Sequence, residues 1–168
     1  IPNTVKGAAR SAATLGADIA TLHHAGGGRM AEAALEGVAE GKYPTLLFAI
    51  TILTSTSPEE AVFKSAGEVT AAVAAKASEA RKWGLPGVVC SGHEAAAVKQ
   101  ACGGDFLCLC PGIRLADGGD DQRRVMTPAM AVAAGADFLV VGRPIARSND
   151  PRGAAEAVLD NMATAANE

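Results

Sequence analysis

Short apolar runs alternate with amphipathic stretches along the whole chain. Val5, Ala8, Ala9, Ala12 and Ala13 recur at i, i+3, i+4, i+7 and i+8, which predicts a helix that Gly16 ends. Ahead of it, Ile1 to Thr4 reads as a loop, because Pro2 fixes its own φ and pushes Ile1 towards extended geometry. Ala17 to Leu22 reads as a short strand closing at His23-His24, and Ala25 to Gly28 as a glycine-rich turn. A second helix is predicted from about Arg29 to Glu40, with Met30, Ala33, Ala34 and Val38 on one face and Gly41 as its stop. Thr45 to Leu53 is continuously apolar, the pattern of a strand buried on both faces of a parallel sheet, and it opens into a polar loop, Thr54 to Pro58.

The second half repeats this grammar. A helical region covers Pro58 to Trp83, in two pieces around Ser65-Ala66-Gly67, and Gly84 to Gly87 turns the chain. Val88 to Cys90 is a strand ending at Ser91-Gly92, Glu94 to Cys102 a helix, and Phe106 to Cys110 a strand. A long polar loop leads to Thr127, a plausible N-cap with Pro128 at the first helical position and Gly135 as the stop. Phe138 to Val141 is the last strand, and Asp150-Pro151 opens a closing helix that carries Val158, Leu159 and Met162.

Strict alternation of helices with continuous apolar strands means a parallel α/β protein. The turn into a strand also repeats, as Leu15-Gly16-Ala17-Asp18 and as Ala134-Gly135-Ala136-Asp137, which suits a repeated unit in a (β/α)8 barrel or a doubly wound sheet. A complete eight-stranded barrel takes about 250 residues, so a chain of this length holds roughly five βα units. The first helix has no strand before it. We therefore expect an incomplete (β/α)8 TIM barrel, with residues 1–168 forming the C-terminal two-thirds of a single domain and three strands lying upstream. A five-stranded arc would have two open edges, and poor folding in isolation is expected.

Composition narrows the function classes. Hydrophobic residues make up 49% and charged residues 20% of the 168, as in a globular domain, and a net charge of −3 offers no general nucleic-acid or membrane surface. No apolar run approaches the roughly 20 residues of a membrane helix, and no signal peptide is present, so a cytoplasmic protein is expected. Cys90, Cys102, Cys108 and Cys110 lack the C-x-x-C spacing of a zinc site and read as reduced, buried thiols, with Cys108 and Cys110 on one strand face.

In a barrel the strand ends share one rim, and here they offer His23, Thr54, Ser91, the loop from Pro111 to Thr127, and Gly142-Arg143. A guanidinium after a glycine can grip phosphate in bidentate fashion; a surface arginine pairing with a carboxylate is the alternative. The loop holds Arg114, Asp117, Asp120, Asp121, Gln122, Arg123 and Arg124, and a loop this long is often a binding loop rather than a solvated one. Thr54 and Ser91 either touch a ligand or cap the next helix, with capping favoured. His23 and His24 face opposite ways on a strand, and His23 is expected to pack or hydrogen-bond structurally. Gly26-Gly27-Gly28 is not a nucleotide fingerprint. No Ser-His-Asp set, metal cluster or strand-end lysine stands out.

Taken together, several segments resemble bacterial orotidine 5′-phosphate decarboxylases. They are Ile1-Pro2-Asn3-Thr4, His23 to Gly27, Leu53-Thr54-Ser55, Gly87 to Ser91, Pro111-Gly112-Ile113-Arg114, Asp121 to Arg124, Met126-Thr127-Pro128 and Gly142-Arg143-Pro144, in family order from the first residue to nearly the last. The resemblance implies a TIM-barrel homodimer that converts orotidine 5′-monophosphate (OMP) to UMP and CO₂ in pyrimidine biosynthesis, without metal or cofactor. It implies that the catalytic charges, a D-x-K-x-x-D motif and a further lysine, lie upstream of Ile1, so that this chain alone is inactive. It places Gln122, Gly142 and Arg143 on the phosphate, Ser91 on the pyrimidine edge, and Thr54, Pro111 and Arg114 along the site. Ile1 and Thr4 fall in the segment that reaches across the dimer. The alternatives are another phosphosugar-binding barrel lyase or a catalytically dead UMP-binding fragment.

Overall fold

Pro2 opens a helix rather than a loop. In this computed structural model, which describes residues 1–55, 63, 65–115 and 124–165, α1 spans Pro2–Leu15 with Ile1 as its N-cap. Proline has no N–H, but the first helical position leaves its N–H unbonded anyway, and the fixed φ already suits the helix. The loop expected for Ile1 to Thr4 is therefore corrected: Val5 N–H already bonds Ile1 O at 3.1 Å.

The elements that follow are β1 (Ile19–His23), a 3-10 turn (His24–Gly26), α2 (Gly28–Ala39), β2 (Leu46–Ile50), α3 (Ala66–Lys82) and β3 (Gly87–Val89). Then come α4 (Gly92–Cys102), β4 (Leu107–Cys110), α5 (Pro128–Ala133), β5 (Phe138–Leu139), α6 (Arg143–Ala146) and α7 (Pro151–Thr164). The strands form one sheet in the order β1-β2-β3-β4-β5, with every pairing parallel. Each neighbour in space is the next in sequence, which is the connectivity of a barrel wall rather than of a doubly wound sheet.

Both repeated turns do the same work. Gly16 and Gly135 each adopt a positive φ, 81° and 101°, just past the ends of α1 and α5, and each hands the chain to a strand within three residues. The aspartate that follows is tied to the sheet both times. Leu46 N–H donates to Asp18 O at 2.8 Å, and Asp137 N–H donates to Cys108 O at 3.0 Å.

One face of the sheet meets the helices. Leu22, Leu47, Ala49, Val88, Cys90, Cys108 and Cys110 are buried there against Ala31, Ala34, Val73, Ala77 and Val98. All four cysteines are free and buried, as expected. On the other face the register aligns Thr21, Phe48, Gly87 and Leu107 in one layer and His23, Ile50, Val89, Leu109 and Phe138 in the next. A Cβ on Gly87 would stand 2.6 Å from Phe48 Cε1, so the missing side chain is what makes room for the ring.

Two strands are shorter than their apolar runs. β2 ends at Ile50, and the carbonyls of Ile52 and Leu53 turn instead to Arg124. β5 ends at Leu139, although Val140 N–H still reaches Cys110 O at 2.9 Å. The four-residue α6 was not expected, being too short to show a period. Of the helical region from Pro58 to Trp83, α3 is the second piece, with Ser65 as its N-cap; of the first piece, 58–62 and 64 lie outside the described residues. Among the described residues no helix is long and apolar enough to cross a membrane.

Candidate functional site

Parallel strands in sequential order bring their carboxyl ends to one rim, where such folds bind ligands. That rim carries His23 at the end of β1, Thr54 beyond β2, Ser91 after β3, Pro111 to Arg114 after β4, and Gly142-Arg143 after β5.

Ser91 is fully buried and is the N-cap of α4. Its hydroxyl accepts from the helix backbone, while its own N–H donates to Glu94 Oε2 at 3.0 Å, completing a capping box. The capping expectation for Ser91 holds. Sequence reading passed over Glu94, although Ser91-Gly92-His93-Glu94 is the S-x-x-E signature of such a box.

Glu94 is 3% exposed and its second oxygen accepts from Arg124 Nη1 at 2.6 Å. Burial raises its pKa above the ordinary carboxyl value, against the opposing pull of Arg124, of the Ser91 N–H and of His93. The other arm of Arg124 points Nη2 at the carbonyls of Ile52 and Leu53, each 3.4 Å away. One buried ion pair thus joins the segment after β2, the first turn of α4 and the chain returning from the long loop.

That loop is closed at its base. Ile113 and Met126 form a parallel bridge, Arg114 N–H donates to Met126 O at 3.0 Å, and Met126 N–H donates to Gly112 O at 3.2 Å. Arg114 is buried, with Nη1 donating to Ile113 O at 2.8 Å, and Thr54 is buried as well. Gln122, together with Asp117, Asp120, Asp121 and Arg123, lies outside the described residues.

Gly142 is exposed, and a Cβ there would meet nothing within 4 Å. Its φ of −100° does not itself demand glycine. Arg143 begins α6 and is half-buried. Ile1, the N-cap of α1, and Thr4, in its first turn, are both exposed.

The structural role expected of His23 belongs to its neighbour. His23 is exposed, whereas His24 is buried behind β1, its ring 4.6 Å from that of Trp83. His24 Nδ1 lies 3.5 Å from Lys76 Nζ, and Nε2 lies 3.0 Å from Glu79 Oε2 but out of line for a hydrogen bond. The pleat explains the swap: His23 ends the strand on its open face, and the next residue turns back under the helices. Among the described residues no group of three or more His, Cys, Asp or Glu side chains is placed to hold a metal ion.

Sequential parallel strands, a helix after each strand and a polar rim at the carboxyl ends define a (β/α)8-type barrel, of which five units are present. Residues 1–158 match the family described as "Orotidine 5'-phosphate decarboxylase / HUMPS family". The chain is 53% identical over 171 residues to orotidine 5′-phosphate decarboxylase of Nitratidesulfovibrio vulgaris (strain DP4), covering 97% of this chain and 72% of that protein. It is also 53% identical to the enzyme of that name from Maridesulfovibrio salexigens, over 96% of this chain and 72% of that one. The crystal structure of orotidine 5′-phosphate decarboxylase from Lactobacillus acidophilus superposes with a TM-score of 0.78 at 35% identity, over 96% of this chain and 70% of that one. The chain belongs to the orotidine 5′-phosphate decarboxylase / HUMPS family.

Proposed function

We propose that the protein decarboxylates OMP to UMP and CO₂, and that this chain supplies most of the nucleotide-binding rim. The carrying observation is the match over residues 1–158 together with 53% identity to a named decarboxylase, which favours the nucleotide enzyme over a sugar-phosphate lyase on the same barrel. Arg143, the open space at Gly142, and Gln122 are read as the phosphate grip, since a guanidinium fork and an amide both suit phosphate oxygens. Ser91 is read as the contact to the pyrimidine edge, with Thr54, Pro111 and Arg114 lining the space between.

The chemistry breaks the bond between the ring and its carboxylate. CO₂ departs and the electron pair stays on the ring carbon, where a lysine ammonium stabilises it and supplies the proton. The resemblance assigns that lysine and its aspartates to the family's D-x-K-x-x-D motif and a further lysine, and reads the 168 residues as the C-terminal two-thirds of one barrel domain. The rim's part is to fix the nucleotide so that phosphate binding energy is available in the transition state. A homodimer is proposed, with Ile1, which is 84% exposed, and Thr4 meeting the partner's nucleotide, and the cytoplasm is proposed as the place of action.

The test is release of labelled CO₂ from carboxyl-labelled OMP by the intact protein, with a chelator present. UMP and CO₂ formed in equal amounts support the reading. Tight UMP binding without CO₂ release defeats it.

A further inference from the structure

The Glu94–Arg124 pair is the most deeply buried charge pair described at the rim. Its side chains are 4% and 20% exposed, and neither belongs to the set read above as touching substrate. A buried carboxylate with no partner is costly, so Glu94 strongly favours the arrangement in which Arg124 faces it. Both arms of the carboxylate are used: Oε1 takes Arg124 Nη1 at 2.6 Å and Oε2 takes the Ser91 N–H at 3.0 Å. The guanidinium also reaches the Ile52 and Leu53 carbonyls, two residues and one residue before Thr54.

Two further contacts fix the same leg of chain. His93 Nε2 lies 3.2 Å from Val125 O. A Cβ on Gly92 would come within 2.7 Å of Met126 Sδ, so the chain after Arg124 packs directly onto the first turn of α4. The segments bearing Thr54 and Ser91 and the closing leg at 124–126 are thereby held as one body.

We propose that Glu94 and Arg124 are positioning residues: the pair sets the backbone of Ser91, and through it the hydroxyl that meets the pyrimidine. This rests on the decarboxylase reading. Neither residue touches the reacting atoms. Glutamine at 94 cannot replace the carboxylate, because its amide offers one acceptor oxygen where two donors, Arg124 and the Ser91 N–H, must be met.

The decisive experiment is a double-mutant cycle in the intact protein, with kcat and KM measured per folded molecule well below the melting temperature. The variants are Glu94→Gln, Ser91→Ala and the two together, with OMP as substrate. Glu94→Gln is expected to lower kcat by about tenfold with little change in KM, and to add less than about twofold once Ser91 is alanine, since residues acting through one another are not additive. If Glu94→Gln does not fold, Arg124→Gln takes its place in the same cycle. Equal losses in the presence and absence of the Ser91 hydroxyl overturn the inference, as does a fall in melting temperature with unchanged kcat. An unmodified protein that fails to decarboxylate OMP overturns the functional reading itself, and this inference with it.

Discussion

The rings of Phe48 on β2 and Phe138 on β5 meet edge to face, with centroids 5.9 Å apart and planes at 86°. Three strand spacings separate these strands, about 14 Å in a flat sheet. The sheet must curl for the rings to touch, and it curls towards the face that would be the interior of a barrel. Phe48→Ala should therefore destabilise the intact protein by about 3–5 kcal/mol in denaturant unfolding. Phe138→Ala should cost less, because Phe138 is already 36% exposed. A coupling of about 1 kcal/mol between the two changes is expected; strict additivity would mean that the ring contact contributes nothing.

The repeated turn gives a second expectation. Asp137 Oδ2 accepts from Lys99 Nζ and from the Cys108 N–H, both at 2.7 Å, while Lys99 also donates to the carbonyls of Gly104 and Phe106. Asp137→Ala leaves a strand N–H and an ammonium short of an acceptor, at a cost of roughly 1–3 kcal/mol. Asp137→Asn keeps an oxygen for Cys108 and should lose less. Thermal melts of the three proteins should follow that order.

How far the sequence revealed these features depended on their length. The alternation of helices and strands along the chain, the Gly16 and Gly135 turns and the Thr127 cap were legible because each has a local signature. Pro2 misled because proline suits a loop and a first helical turn equally well, and only the apolar positions packing behind Val5 decide between them. His23 and His24 were exchanged because alternation says that two neighbours face apart but not which of them faces the helices. Glu94–Arg124 spans 30 positions, and nothing local announces such a pair. Thr54, Ser91, Arg114 and Arg143 were picked out because they follow the apolar strand runs, and the roles read for them came from the motif resemblance alone.

His24 predicts a pH dependence. Burial first, then Lys76, lowers its pKa below 6.5, with Glu79 opposing. In the window between the lowered folded value and 6.5, the unfolded chain binds more protons than the folded one. Stability from His24 is therefore complete above about 6.5 and is lost as pH falls through the folded value. Unfolding free energies measured across that window should decline towards acid. The decline should flatten in His24→Gln; an unchanged slope would assign it to other groups.

Arg143→Ala tests the phosphate grip. UMP affinity of the intact protein should fall by roughly 1.5–3 kcal/mol, the range for hydrogen bonds to charged groups. Affinity for uridine, which has no phosphate, should stay the same. Isothermal titration with both ligands distinguishes this from general damage to the pocket, in which uridine binding would fall too.

The most direct measurement is turnover of OMP set beside that of orotidine, the same base and sugar without the phosphate, by the intact protein in chelator-treated buffer. A phosphate-gripping decarboxylase converts OMP to UMP and CO₂ in equal amounts, with a kcat/KM far above that for orotidine, because the remote phosphate contributes to the transition state. OMP that binds but is never decarboxylated, or equal turnover of the two, would contradict it.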